Sequence, residues 1–91
     1  MKVVASYRLR IRLPDRPGAL GAVASRIGAV GGDIVSIDIL GRSDGSAVDE
    51  FVIELGGEHL VGLLRTEVHE VDGAVVEDVA PVESEPSGTE D

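Results

Sequence analysis

The chain has 91 residues, with 17 acidic and 8 basic side chains, a formal charge of −9 and no cysteine. That length supports one domain with one modest core, so any site must be a groove, a loop or a subunit interface. The acidic balance opposes a phosphate backbone, no apolar run reaches the roughly 20 residues of a membrane span, and the lack of cysteine removes disulfides and thiolate metal sites.

The start "MKVVASYRL" lacks the apolar segment and cleavage site of a secretory signal. Together with the missing cysteines, this points to a cytoplasmic location. From Tyr7 to Leu13 the residues alternate, with Tyr7, Leu9, Ile11 and Leu13 on one side and Arg8, Arg10 and Arg12 on the other. Period two with one apolar face predicts a half-buried strand.

Pro14 ends that strand. Leu20, Val23, Ala24, Ile27 and Val30 then recur at helical spacing, which predicts a helix over 17–30 with Pro17 at its first position and Arg16 at its cap. Gly31 and Gly32 stop it. The opposite helix face carries Gly21, Ala22, Ser25, Gly28 and Ala29, with Arg26 as its one charge. An outward face is normally charged, so a small, neutral one fits the close approach of a second helix.

Residues 33–40, "DIVSIDIL", predict a strand with Val35, Ile37 and Ile39 on one face and Ser36 and Asp38 on the other. An Asp-Gly turn follows, and "VDEFVIEL" alternates again, setting Phe51, Ile53 and Leu55 opposite Glu50 and Glu54, so the two strands form a hairpin. A second helix after Gly57 has the stripe Leu60, Leu63, Leu64 and Val68. "GAVVEDVAPV" reads as a last strand ended by Pro81.

Strand, helix, strand, strand, helix, strand, with right-handed crossovers, gives an α+β, ferredoxin-like βαββαβ sandwich. Its four-stranded antiparallel sheet has two helices on one face and the first and third strands in the middle. The expected domain is 1–81, and residues 82–91 form a disordered acidic tail. On the open face the three arginines should lie near Glu50 and Glu54. Cross-strand charge pairing is then the expected role of that stripe, ahead of an anion-binding surface.

No enzyme is expected. No nucleophile sits in a recognisable motif and no glycine loop precedes a lysine. On one helix His59 and His69 would point about 80° apart and lie about 15 Å apart along the axis, which cannot form one metal site. Stacking on RNA needs exposed aromatics, and Tyr7 and Phe51 fall on faces predicted to be buried. No catalytic residue, metal or cofactor is therefore assigned, and neither nucleic acid nor membrane is an expected partner.

The stretch "LPDRPGALGAVASRIGAVGGDIVSI" combines an Asp-x-Pro-Gly-x-Leu turn with a Gly-Gly-Asp-Ile entry to the second strand. With the βαββαβ order, it resembles the ACT domain family, regulatory modules that bind amino acids, over residues 7 to about 80. The resemblance implies a homodimer or higher homo-oligomer, often built side by side into an eight-stranded sheet, with an amino acid or related small metabolite at the interface. It places Asp15, Arg16, Gly18, Ala19 and Leu20 on the turn side of the ligand, and Asp33 and Ile34 of a neighbouring copy on the other. The helix face Gly21, Ala22, Ser25, Gly28 and Ala29 is the expected dimer contact.

Many ligand-binding members have asparagine where this chain has Asp33, and an ionised aspartate offers a ligand carboxylate no donor. Asp33 would instead suit an ammonium group, another metabolite or no ligand at all. The expected function is a small sensor that modulates a partner, such as a metabolic enzyme. The alternative is a ligand-free dimerisation or protein-interaction module.

Overall fold

The computed structural model describes residues 5–82, and the expected tail beyond Val82 lies outside the described residues. The elements are β1 (Ala5–Pro14), α1 (Ala19–Ala29), β2 (Asp33–Ser43), β3 (Ser46–Leu55), α2 (Val61–His69) and β4 (Val75–Pro81), with a short 3₁₀ turn at Glu58–Leu60 leading into α2. The antiparallel sheet has the order β2-β3-β1-β4. This is the expected ferredoxin-like arrangement, with β1 and β3 central.

Alternation decides which side is buried. Tyr7, Leu9, Ile11 and Leu13 from β1 and Phe51, Ile53 and Leu55 from β3 meet Val23 and Ile27 of α1 and Leu64 and Val68 of α2 in one core. The arginines face away and pair as a surface stripe does. Arg8 and Arg10 reach Glu50 at 3.5 and 3.9 Å. Arg12 turns the other way, and its Nε donates to Glu77 on β4 at 2.7 Å. Glu54 makes no such contact, because the β1–β3 register sets it opposite Ser6.

Three helix expectations change. Pro17 does not begin α1: Ala19 is the first helical residue and Gly18, not Arg16, is the cap. The N–H of Ala19 donates to Arg16 O at 3.3 Å, closing a turn with proline second and a left-handed Gly18 (φ 86°) third. That is type II turn chemistry, in which a side chain at the third position would be strained. Leu20, placed in the apolar stripe by spacing, is exposed, while Ala19 is buried. The shorter helix has rotated its start, so Ala19 rather than Leu20 faces the sheet. Leu63 is exposed too, because α2 inserts only Leu64 and Val68 into the core.

At the other end of α1 the N–H groups of Gly31 and Gly32 donate to Gly28 O and Ile27 O, a Schellman stop. Arg26 donates to Glu67 at 3.0 Å and ties α1 to α2. The Nε2 of His69 accepts from Val76 N–H at 3.2 Å and joins the end of α2 to β4. No helix among the described residues is long and apolar enough to cross a membrane.

The two edges of the sheet differ. The β4 edge carries Glu77, Asp78 and a terminal proline, features that discourage further pairing. The β2 edge instead presents Val35, Ile37, Ile39 and Leu40, each between 37 and 57% exposed. Bulges at Val35 and Leu40 interrupt its pairing with β3, so the strict alternation read from the sequence does not hold along β2.

Candidate functional site

The hairpin between β2 and β3 closes with two residues, Asp44 (φ 53°) and Gly45 (φ 79°), both left-handed as a type I′ turn requires. The carbonyl of Gly45 accepts from the N–H of Asp15 at 2.8 Å. One hydrogen bond therefore anchors the β1–α1 turn to the hairpin tip. Between them lies a cavity of about 150 Å³.

Its walls come from five elements. Leu13 and Pro14 end β1, Asp15 and Arg16 belong to the turn, and Ala19 and Leu20 start α1, while Ile39 and Arg42 come from β2 and Ala47 and Asp49 from β3. The exposed Leu20 and the exposed Ile39 are thus side chains of one cavity rather than scattered surface residues. A space of that size suits one small metabolite.

Asp49 is the chemical anomaly. It is 3% exposed and is the buried polar residue among core side chains. Among the described residues, its Oδ1 is the buried side-chain oxygen or nitrogen without a hydrogen-bond partner. Burial pushes its carboxyl above the usual range, the Arg42 guanidinium draws it partly back, and the Asp15 carboxylate adds to the rise. A buried, unpaired carboxyl costs stability and is found where a site needs it more often than where packing alone operates.

Of the expected ligand residues, Asp15, Arg16, Ala19 and Leu20 line this cavity, and Gly18 caps the helix beside it. Asp33 and Ile34 do not join them. Asp33 pairs with Glu54 at the far end of the sheet. The strand from Ser46 to Glu54 runs about 25 Å at about 3.3 Å per residue. Within one chain the two halves of the expected site are therefore separate.

Sequence reasoning missed Leu13, Pro14, Ile39, Arg42, Ala47 and Asp49 as cavity residues. For Asp49 a signal existed: it shares the parity of Phe51, Ile53 and Leu55, and an acid on the apolar side of a strand marks a special position. For Arg42 none existed, because its place depends on the bulge at Leu40. The expected dimer face of α1 is open, with Gly21, Ser25, Gly28 and Ala29 exposed and Ala22 half-buried. Among the described residues, no cluster of three or more metal-ligating side chains occurs.

Known proteins bear on this geometry. An uncharacterized protein from Thermotoga maritima superposes with a TM-score of 0.66 at 20% identity, over 89% of this chain and 100% of its own. The ACT domain of a GTP pyrophosphokinase from Chlorobium tepidum superposes with a TM-score of 0.59 at 18% identity, over 90% of this chain and 100% of that one. An unknown protein from Galdieria sulphuraria gives a TM-score of 0.76 at 10% identity, over 93% of this chain, which spans 49% of that protein. At these identities the likeness shows the shared fold. No curated protein matches the sequence. Residues 7–73 match the model of the ACT domain, a family of regulatory, small-ligand-binding domains. The match spans most of the chain and includes the turn, both sides of the cavity and the exposed edge strand, and the chain belongs to the ACT domain family.

Proposed function

We propose that this chain is a regulatory ACT domain, without catalytic activity of its own, that senses an amino acid or similarly small metabolite in a homodimer and modulates a metabolic enzyme. The observation that carries this reading is the position of Ile39. It lines the cavity and also lies on the exposed apolar edge of β2. A ligand in the cavity and a second copy on that edge would touch the same side chain, so binding of one would alter binding of the other.

The edge favours a second copy as its cover. Four large aliphatic side chains on one edge strand form an apolar strip that a monomer gains nothing by exposing, whereas the opposite edge is blunted by charge and proline. Nothing lies within 4 Å of a side chain built at Gly21 or Gly28 on α1, so the chain itself gives no packing reason for their small size. If two β2 edges pair antiparallel, the start of one strand meets the end of the other. Asp33 and Ile34 of one copy then approach the cavity of its partner.

The test is light scattering and thermal unfolding of the full chain against a panel of the standard amino acids. A dimer is expected, and Ile37→Lys or Gly21→Glu should dissociate it. A ligand at about a hundredfold its dissociation constant adds roughly 2.7 kcal/mol, visible as a clear rise in melting temperature. A dimer indifferent to every amino acid, in the wild type and in Asp33→Asn, would replace sensing with a ligand-free interaction module. A monomer would remove the interface altogether.

A further inference from the structure

We infer that Asp49 is the anchor of a ligand site contained within one chain, and that this site takes a small aliphatic ammonium compound, with the cation on the Asp49 carboxylate and the hydrocarbon part against Leu20 and Ile39. The inference rests on the sensing reading above and specifies its chemistry, because it assigns the recognition of charge to β3 rather than to the strand start at Asp33.

Two features, the state of Asp49 and the lining around it, converge on that class of ligand. Asp49 lines the cavity while almost wholly buried, and among the described residues its Oδ1 is the buried side-chain polar atom that lacks a partner. A carboxylate accepts hydrogen bonds and donates none, so the complementary group is a cation or a neutral donor. An ammonium answers the charge as well as the lone pair, and charge-assisted bonds are the stronger kind.

The remaining walls fix the rest of the molecule. Leu13, Ala19, Leu20, Ile39 and Ala47 offer hydrocarbon, and a volume of about 150 Å³ admits a small body only. Arg16 and Arg42 stand among the lining residues, and Arg16 is already directed to Asp72 O at 3.4 Å. Arg42 is therefore the group available to a second, anionic end of the ligand. A zwitterion with a short branched side chain satisfies Asp49, Arg42 and the aliphatic wall together, whereas a simple carboxylic acid would bring its negative charge toward Asp15 and Asp49.

The experiment is a titration of the isotopically labelled full chain, followed by amide NMR, with three probes that share an isopropyl group and differ in their charged groups: L-valine, isobutylamine and isobutyrate. The inference expects saturable shifts at Ala19, Leu20, Ile39 and Asp49 with the two ammonium compounds at millimolar concentration, and none with isobutyrate. Asp49→Asn should weaken both by about tenfold or more while leaving the spectrum elsewhere intact. Leu20→Lys, at a side chain already 39% exposed, should do the same by placing a like charge beside the cavity.

Equal binding to Asp49→Asn and the wild type would overturn the assignment. So would isobutyrate binding as well as isobutylamine, or no response to either amine. The outcome is separable from that of the sensing reading. Amine binding that leaves dimer stability unchanged would keep this site and sink the sensor, while an amino acid that stabilises the dimer equally in Asp49→Asn would keep the sensor and sink this site.

Discussion

Strands β2 and β3 face each other in one hairpin and carry similar aliphatic content, yet they live in different surroundings. Ile37 and Phe51 are register partners; Phe51 is 0% exposed and Ile37 is 37% exposed. The difference is one of neighbours. β3 has a strand on each side and sends its inward side chains into the core, while β2 is at the rim with a strand on one side only. Alternation therefore reports which face of a strand is apolar, but coverage of that face is decided by what stands beside it.

The largest expected effect tests this pair directly. Phe51→Ala should cost about 3–5 kcal/mol in chemical denaturation, since it opens a cavity in close-packed surroundings. Ile37→Ala should cost about 1 kcal/mol when measured in dilute solution. Equal costs would break the comparison. A cost for Ile37→Ala that grows with protein concentration would sharpen it, because stability gained from a partner depends on concentration.

The two glycines at the start of α1 extend the comparison to the turn. Gly18 is left-handed, so Gly18→Ala should lose about 1–2 kcal/mol. Gly21 lies within the helix with free space around it, and Gly21→Ala should gain about 0.5–1 kcal/mol. Opposite signs by thermal unfolding would mark the turn, and not glycine content, as the constraint.

Asp49 contrasts with the acids on the open side of the same strand. Its folded carboxyl is raised above the ordinary 3.8 by burial, offset in part by Arg42 and reinforced by Asp15, with Arg16 as the other charged group on the cavity wall. A raised carboxyl favours the protonated fold. Its stabilising contribution is full below pH 3.8 and is lost as pH rises through the raised value. Asp49→Asn should therefore melt higher than the wild type at neutral pH, with the gap closing as pH falls toward 3.8. A gap that ignores pH would show that burial does not penalise the charge. The smallest effect belongs to the open face, where Arg10→Ala should cost no more than about 1 kcal/mol, and less in high salt.

The element order, the apolar faces of β1 and β3, the Asp-Gly hairpin and the Gly-Gly stop after α1 are legible in the chain before it folds. Each of these is a local preference written in adjacent or periodic residues. The family resemblance, rather than local preference, pointed to Asp15, Arg16, Ala19 and Leu20, which line the cavity. Local preference misplaced the start of α1, because proline is favoured both at a first helical position and inside a type II turn, and only the Arg16 to Ala19 hydrogen bond distinguishes them.

The rest depends on contacts between distant stretches of chain. The bulge at Leu40 sets which side Arg42 takes, the Asp15 to Gly45 bond brings the turn against the hairpin, and only then do Ile39 and Asp49 become walls of one cavity. Asp49 stood in the sequence as an acid in an apolar row, but whether it was paired, solvated or stranded depended on the turn at Asp15, more than thirty positions away, and on Ile39 and Arg42 across the hairpin. Register and burial are properties of pairs of strands, and a single stretch of chain carries neither.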